Sequence, residues 1–205
     1  RVSPENKVQI VKGFQKTGNI VAMTGDGVND APSLKAADVG IAMGKGGTDV
    51  ARQASDLILT DDNFATIEKA IEEGRGVYEN IKKSVIFLLS SNLGEIMTMF
   101  TAVLLGLPSP LKSAHILWIN LITDSLPALA LGVDKNDNAM LMKRKPRGPK
   151  ESLFADGGLS RTAFYGLLIA LISLTAFFTV PFHLLKAQGL PFSLEAIAGL
   201  LGQEA

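Results

Sequence analysis

No cysteine occurs among the 205 residues, which excludes a disulfide scaffold and any thiolate metal centre within the chain. Excess charge is missing too: 20 basic residues balance 20 acidic ones, so nothing in the net charge predicts attraction to nucleic acid, and no such partner is expected. Internal repeats and low-complexity tracts are absent. The opening Arg1-Val2-Ser3-Pro4 lacks the basic, apolar and small-residue order of a signal peptide. It also does not begin with Met, so a fragment of a longer protein is expected.

What the chain does have is unevenly spread. Charge is dense as far as Lys83 and almost gone from three later stretches, the pattern of a soluble part joined to a membrane part. In the first part, Ser3 suits an N-cap, Pro4 the first helical position and Glu5 the positive dipole end, predicting a helix to Phe14 with Val8, Val11 and Phe14 on its buried stripe. Three β-rich runs follow, Asn19 to Met23, Val39 to Met43 and Asp56 to Leu59, separated by helix-length segments. That alternation predicts parallel βαβ units, whose functional loops fall at the C-terminal strand ends.

Beyond Asp61-Asp62-Asn63, an expected N-cap cluster, apolar residues recur at helical spacing, and one helix is predicted from Phe64 through Gly106. Val85 to Gly106 carries one charged residue, Glu95, and is long enough to cross a bilayer core of about 30 Å at about 1.5 Å per residue. The domain reading is residues 1–78 as the soluble unit with the start of a stalk, 79–106 as stalk and first span, and 107–113 as an outside turn. A second span at 114–132, a loop at 133–161, a third span at 162–185 and an extracytoplasmic segment at 186–205 follow. Lys82, Lys83 and the basic residues between 135 and 161 flank the spans on one side, which the positive-inside rule makes cytoplasmic.

Thr24-Gly25-Asp26-Gly27-Val28-Asn29-Asp30 sits where a strand ends. Glycines there allow close backbone approach, and two carboxylates four residues apart can hold a hard cation such as Mg²⁺, directly or through water. Lys7 could meet a phosphoryl group's charge. A bare Gly-Asp turn capping a helix is the plain alternative. The longer string Met23 to Pro32, continued by Leu34-Lys35-Ala36-Ala37-Asp38-Val39-Gly40-Ile41-Ala42-Met43-Gly44, resembles the hinge signature of P-type ATPases within the haloacid-dehalogenase superfamily. That resemblance implies half of a haloacid-dehalogenase-like parallel α/β domain followed by three transmembrane helices. It further implies that Asp26 ligates Mg²⁺, that Asn29 and Asp30 support the phosphoryl and metal environment, and that Lys7 contacts an aspartyl phosphate derived from ATP. The family's nucleophile lies in an Asp-Lys-Thr-Gly-Thr string that does not occur here. The fragment alone is therefore expected to be inactive, with ATP reaching the pump through other domains. A soluble phosphatase of the same superfamily would share these elements, but not the hydrophobic spans.

Within the spans, Asn92 and Glu95 lie three residues apart, and Asn120, Thr123 and Asp124 share a face of the second span. A carboxylate at bilayer depth costs about 2.5 to 3.5 kcal/mol, so each acid reads first as a pathway residue, with interhelical hydrogen bonding as the alternative. Together they make an all-oxygen cluster suited to a hard cation. Pro127 removes a backbone donor one turn beyond Asp124 and is expected to bend the helix near it. Ser90-Ser91-Asn92-Leu93-Gly94-Glu95 and Leu117 to Ala128 are similar to the fifth and sixth membrane helices of sarcoplasmic-reticulum-type calcium ATPases. By that likeness Asn92, Glu95, Asn120, Thr123 and Asp124 are ligands of a transported Ca²⁺, with Mn²⁺ as the alternative cargo and the plasma membrane as the expected location. A pump-derived membrane binding or regulatory protein without turnover is the competing reading.

Overall fold

The computed structural model describes residues 2–148, 151–189, 191 and 193–202. The chain divides into two compact units, Arg1–Gly76 with Asn136–Ser152, and Val77–Lys135 with Leu153–Ala205.

The first unit opens on α1 (Pro4–Lys16), where the Ser3 side chain accepts from the Asn6 amide, Pro4 sits in the first turn and Glu5 lies at the positive end. Val11 is buried at 2% exposure, whereas Phe14 is 57% exposed, so the expected stripe stops one turn early. Asn19 explains why the next strand also begins late. Its backbone and side-chain amides both return to the Phe14 carbonyl at 3.3 Å, and its side chain donates to Thr17 Oγ1, closing the helix rather than starting a ladder.

The sheet is β1 (Ala22–Gly25), β2 (Val39–Met43) and β3 (Leu57–Leu59), parallel throughout and in that spatial order. Short helices α2 (Ala31–Ala36) and α3 (Asp49–Ala54) connect the strands, and Leu34, Ala42 and Ala51 form a fully buried core with Met23 and Ala54 packed on it. Asp38 accepts from the Val21 amide and Asp56 from the Gly40 amide, both at 2.8 Å, pinning the strand starts. The described residues therefore hold the three parallel strands and intervening helices that the alternation predicted.

Helix α4 (Ala65–Leu104) runs 40 residues without interruption and ends before Gly106, whose φ of +66° suits glycine. The second apolar segment is not a single α-helix. It consists of α5 (Ser113–Trp118), a π-helical segment Ile119–Thr123 and α6 (Ser125–Gly132). Pro127 has no N–H to give the Thr123 carbonyl, and the Asp124 amide donates to Ile119 O, five residues back. A short α7 (Asn138–Lys143) occupies part of the polar connection and belongs to the first unit, where Arg75 donates to the carbonyls of Leu141, Met142 and Arg144. Helix α8 (Gly158–Ala187) is longer than the expected 162–185 at both ends, and α9 (Leu194–Gly202) packs on it through Ile197 and Leu185.

In the second unit α4 and α8 meet through glycine. A Cβ on Gly94 would lie 2.6 Å from Ile169 Cγ2, and one on Gly166 would lie 2.7 Å from Leu93 Cδ2, so the contact admits no larger residue without movement. Three helical stretches, Ala65–Leu104, Ser113–Gly132 and Gly158–Ala187, are long and apolar enough to cross a membrane.

Candidate functional sites

At the C-terminal end of β1 the chain turns through Asp26 and Gly27 into a 3₁₀ turn, Val28–Asp30, that leads into α2. Asp30 is 8% exposed and turns back into the loop. One of its oxygens meets Lys7 Nζ at 2.5 Å, and the other accepts from the Asp26 and Gly27 amides at 3.3 Å each. Gly25 is needed for this arrangement, because a Cβ there would stand 2.5 Å from Asp30 Cβ. Burial works against the Asp30 charge, but the Lys7 hydrogen bond, the two amides and the Lys7 charge together hold its carboxyl below the usual carboxylate range. Asp26 and Asn29 are exposed.

The turn thus separates two roles that the sequence left joined. Lys7 and Asp30 neutralise each other and brace the loop, while Asp26 presents its carboxylate outward at the strand end. Among the described residues no group of three or more His, Cys, Asp or Glu converges on one point. A single outward carboxylate suits Mg²⁺, which keeps several waters and takes one or two carboxylates plus substrate phosphates, better than an all-protein cage.

A second feature of this unit is not apparent from the sequence. Asp62, at φ +53°, does not cap α4. Its carboxylate accepts three successive amides of the β2–α3 loop, Gly44 at 2.6 Å, Lys45 at 3.1 Å and Gly46 at 2.8 Å. The local turn before α4 is made instead by its neighbours, with Asn63 Oδ1 accepting the Ala65 amide and Asp61 accepting Thr66 Oγ1. The signal available in the sequence is a glycine-rich strand-end loop, whose successive amides favour an anion, and an acid at the next strand's end.

In the second unit the acids of α4 and of the π segment's end come together. Asp124 is 3% exposed and accepts Ser91 Oγ at 3.0 Å on Oδ1. Glu95 lies close enough to interact with both the Asn120 side chain and the Asp124 carboxylate. Among the described residues, the buried side-chain oxygens or nitrogens without a hydrogen-bond partner are Glu95 Oε1 and Asp124 Oδ2. Two such carboxylate oxygens are costly in a low-dielectric setting unless a proton or a cation joins them, and a hard divalent cation fits the donor set. Asn92, Asn120 and Thr123 are exposed residues, with the Asn120 side chain beside Glu95, while the buried partnerless oxygens belong to Glu95 and Asp124.

The helices around the pair are tied by polar contacts at one end. Asn80 donates to the carbonyls of Gly132 and Asp134, Lys83 pairs with Asp134 at 2.7 Å, and Ser84 donates to the Ala128 carbonyl. These contacts fix the end of α6 against α4, with Asp124 one turn before Ala128 on the same segment.

Comparison with known proteins finds related chains. Residues 108–198 match the model of the family described as "Cation transporting ATPase, C-terminus". The chain is 63% identical over 177 residues to calcium-transporting ATPase 1 of Bacillus cereus, covering 86% of this chain and 20% of that protein. It is 53% identical over 205 residues to the calcium-transporting ATPase of Bacillus subtilis, covering 98% of this chain and 23% of that one. A crystal structure of a zinc-transporting PIB-type ATPase is 32% identical with a TM-score of 0.47, over 70% of this chain and 21% of that one. The chain spans about a fifth of the length of the curated relatives it matches. With three helices able to cross a bilayer and these relatives, it is an integral membrane protein, and it belongs to the P-type cation-transporting ATPases, aligning with part of members named for calcium transport.

Proposed function

We propose that the chain forms part of an ATP-driven pump that moves Ca²⁺ across a membrane through an aspartyl-phosphate intermediate. The observation that carries this reading is the pair of buried oxygens, Glu95 Oε1 and Asp124 Oδ2, which no described protein group satisfies. Names of the relatives support Ca²⁺ as the cargo, and the all-oxygen donor set agrees with a hard cation. Mn²⁺ takes similar ligands, and competition between the two ions in transport assays separates them. Asn92, Asn120 and Thr123 complete the proposed ligand set when other helices of the intact pump close around their exposed side chains.

The first unit is proposed as half of a haloacid-dehalogenase-like phosphorylation domain on the cytoplasmic side, a reading supported by its parallel strands and by the Asp26 turn at their C-terminal end. Asp26 would hold Mg²⁺, which when bound supplies positive charge beside the transferred phosphoryl group. Lys7 and Asp30 would act together. Their ion pair holds the turn in shape, and Lys7, whose side chain is 32% exposed, retains an ammonium proton for a phosphate oxygen. Asn29, exposed beside them, offers an uncharged donor and acceptor. The phosphorylated aspartate and the nucleotide site would lie in parts of the intact pump outside these 205 residues. The plasma membrane is the proposed location.

Measurement of Ca²⁺-dependent phosphorylation by ATP in the intact pump tests the reading. Asp124→Asn and Glu95→Gln should each abolish it, since each removes a charge from a two-carboxylate site. Unchanged Ca²⁺ dependence in both variants would falsify the site.

A further inference from the structure

From Ser90 onward the hydroxyl groups of α4 follow one habit, with a single departure. Ser90 donates to Ile86 O, Thr98 to Gly94 O and Thr101 to Met97 O, each returning its proton to the carbonyl four residues back. That is the ordinary way for a helix in an apolar setting to satisfy a hydroxyl. Ser91 does not follow it. Buried at 9% exposure, it reaches 33 residues along the sequence to Asp124 Oδ1 at 3.0 Å.

The consequence lies in what remains of the Asp124 carboxylate. With Oδ1 held by Ser91, the rotation of the carboxyl group about its last bond is fixed, and Oδ2 is the oxygen left without a protein donor. The partnerless Oε1 of Glu95, one turn further along the helix that carries Ser91, is the matching atom. Asp124 sits at the end of a π segment whose hydrogen-bond ladder is already displaced, so its backbone alone orients it less firmly than a regular helix would. A donor from the neighbouring helix supplies the missing constraint.

We propose that Ser91 is a positioning residue for cation binding, orienting Asp124 so that one carboxylate oxygen stays free for the ion; the proposal rests on the reading of Glu95 and Asp124 as the cation site. Ser91 need not touch the cation. Its hydroxyl acts through the geometry of the acid. A hydrogen bond to a charged group supports an effect of about tenfold in affinity when it is lost.

The test uses the intact pump with four variants, and reads the Ca²⁺ concentration giving half-maximal ATP hydrolysis beside turnover at saturating Ca²⁺. Ser91→Ala should raise the half-maximal concentration about tenfold with a smaller loss of saturated turnover. Ser91→Thr, which keeps the hydroxyl, should stay within about threefold of wild type, and Ser91→Val, similar in shape to the threonine variant but without the hydroxyl, should behave as Ser91→Ala. That pair keeps the proposal exposed to refutation even where the alanine variant fails to accumulate. Equal behaviour of the Thr and Val variants makes the effect one of packing and overturns the proposal. So does wild-type Ca²⁺ affinity in Ser91→Ala while Asp124→Asn has lost its response. If Asp124→Asn itself keeps wild-type Ca²⁺ dependence, the cation site fails first and the role of Ser91 falls with it.

Discussion

The two units treat carboxylates in opposite ways. Around the sheet, Asp30, Asp38, Asp56 and Asp62 all spend oxygens on backbone amides, and Asp30 adds the Lys7 ammonium. In the membrane-type unit, Asp124 takes one hydroxyl and keeps an oxygen back, and Glu95 likewise holds one oxygen without a partner. Amide-held acids are structural parts, since their hydrogen bonds fix strand starts and loops. Acids kept short of partners where water is scarce carry a cost that folding alone does not return, and the proposed cation would offset it.

Asp26 is the exception inside the first unit, and contrasting it with Asp30 gives the largest expected effect there. Asp26→Asn should leave folding intact, because the residue is exposed, while lowering Mg²⁺-dependent phosphoenzyme on the order of 100-fold, the loss of about 2.7 kcal/mol of charge stabilisation. Asp30→Ala should do the reverse in kind. It strands Lys7 and two amides and should cost about 1–3 kcal/mol of stability, seen as a lower denaturation midpoint. Equal loss of stability in both variants would erase the distinction between an open acid and a bracing one.

The second unit holds its acids by helix packing instead of by amides. Gly94 directly precedes Glu95, and any Cβ there must push Ile169 aside. Gly94→Ala should therefore destabilise the α4–α8 contact by about 1–3 kcal/mol and weaken cation affinity together. Thermal denaturation of the purified protein with and without Ca²⁺ checks both halves. A variant with normal stability but weakened affinity would place the effect in the site alone.

Much of this is legible in the sequence, for local reasons. Ser3-Pro4-Glu5 announces a helix start through capping chemistry confined to four residues, and the strands and spans follow from composition and length. What escapes depends on partners distant in sequence or on small changes of pitch. Lys7 and Asp30 can each be named as candidates, but that they neutralise one another over 23 residues is a property of the folded turn. The π segment differs from an α-helix by hydrogen bonds that reach one residue further, below what apolar spacing reports, although Pro127 warns of a disturbance. Ser91 stands within a familiar string with no sign that it leaves its own helix's carbonyls for Asp124. Asp62 reads as a cap because an acid before a helix usually is one, and only the sheet brings it beside Gly44.

That displaced acid leads to the smallest expected effect and the one most specific to amide-held carboxylates. The Gly46 amide first, then those of Lys45 and Gly44 and the Lys45 charge, hold the Asp62 carboxyl below the usual carboxylate range against the opposing effect of burial. A group depressed in this way stabilises the fold above its unfolded value of about 4, and loses that contribution as pH falls through the lower folded value. Protection of the Gly44, Lys45 and Gly46 amides against hydrogen exchange, corrected for intrinsic rates, should therefore decline as the pH drops below about 4. In Asp62→Asn the protection should be weaker and independent of pH across that range, because no charge remains to be lost. Protection that is equally strong and equally flat in both proteins would mean that the loop holds its shape without the acid, and that amide-held carboxylates in this unit are incidental to its fold.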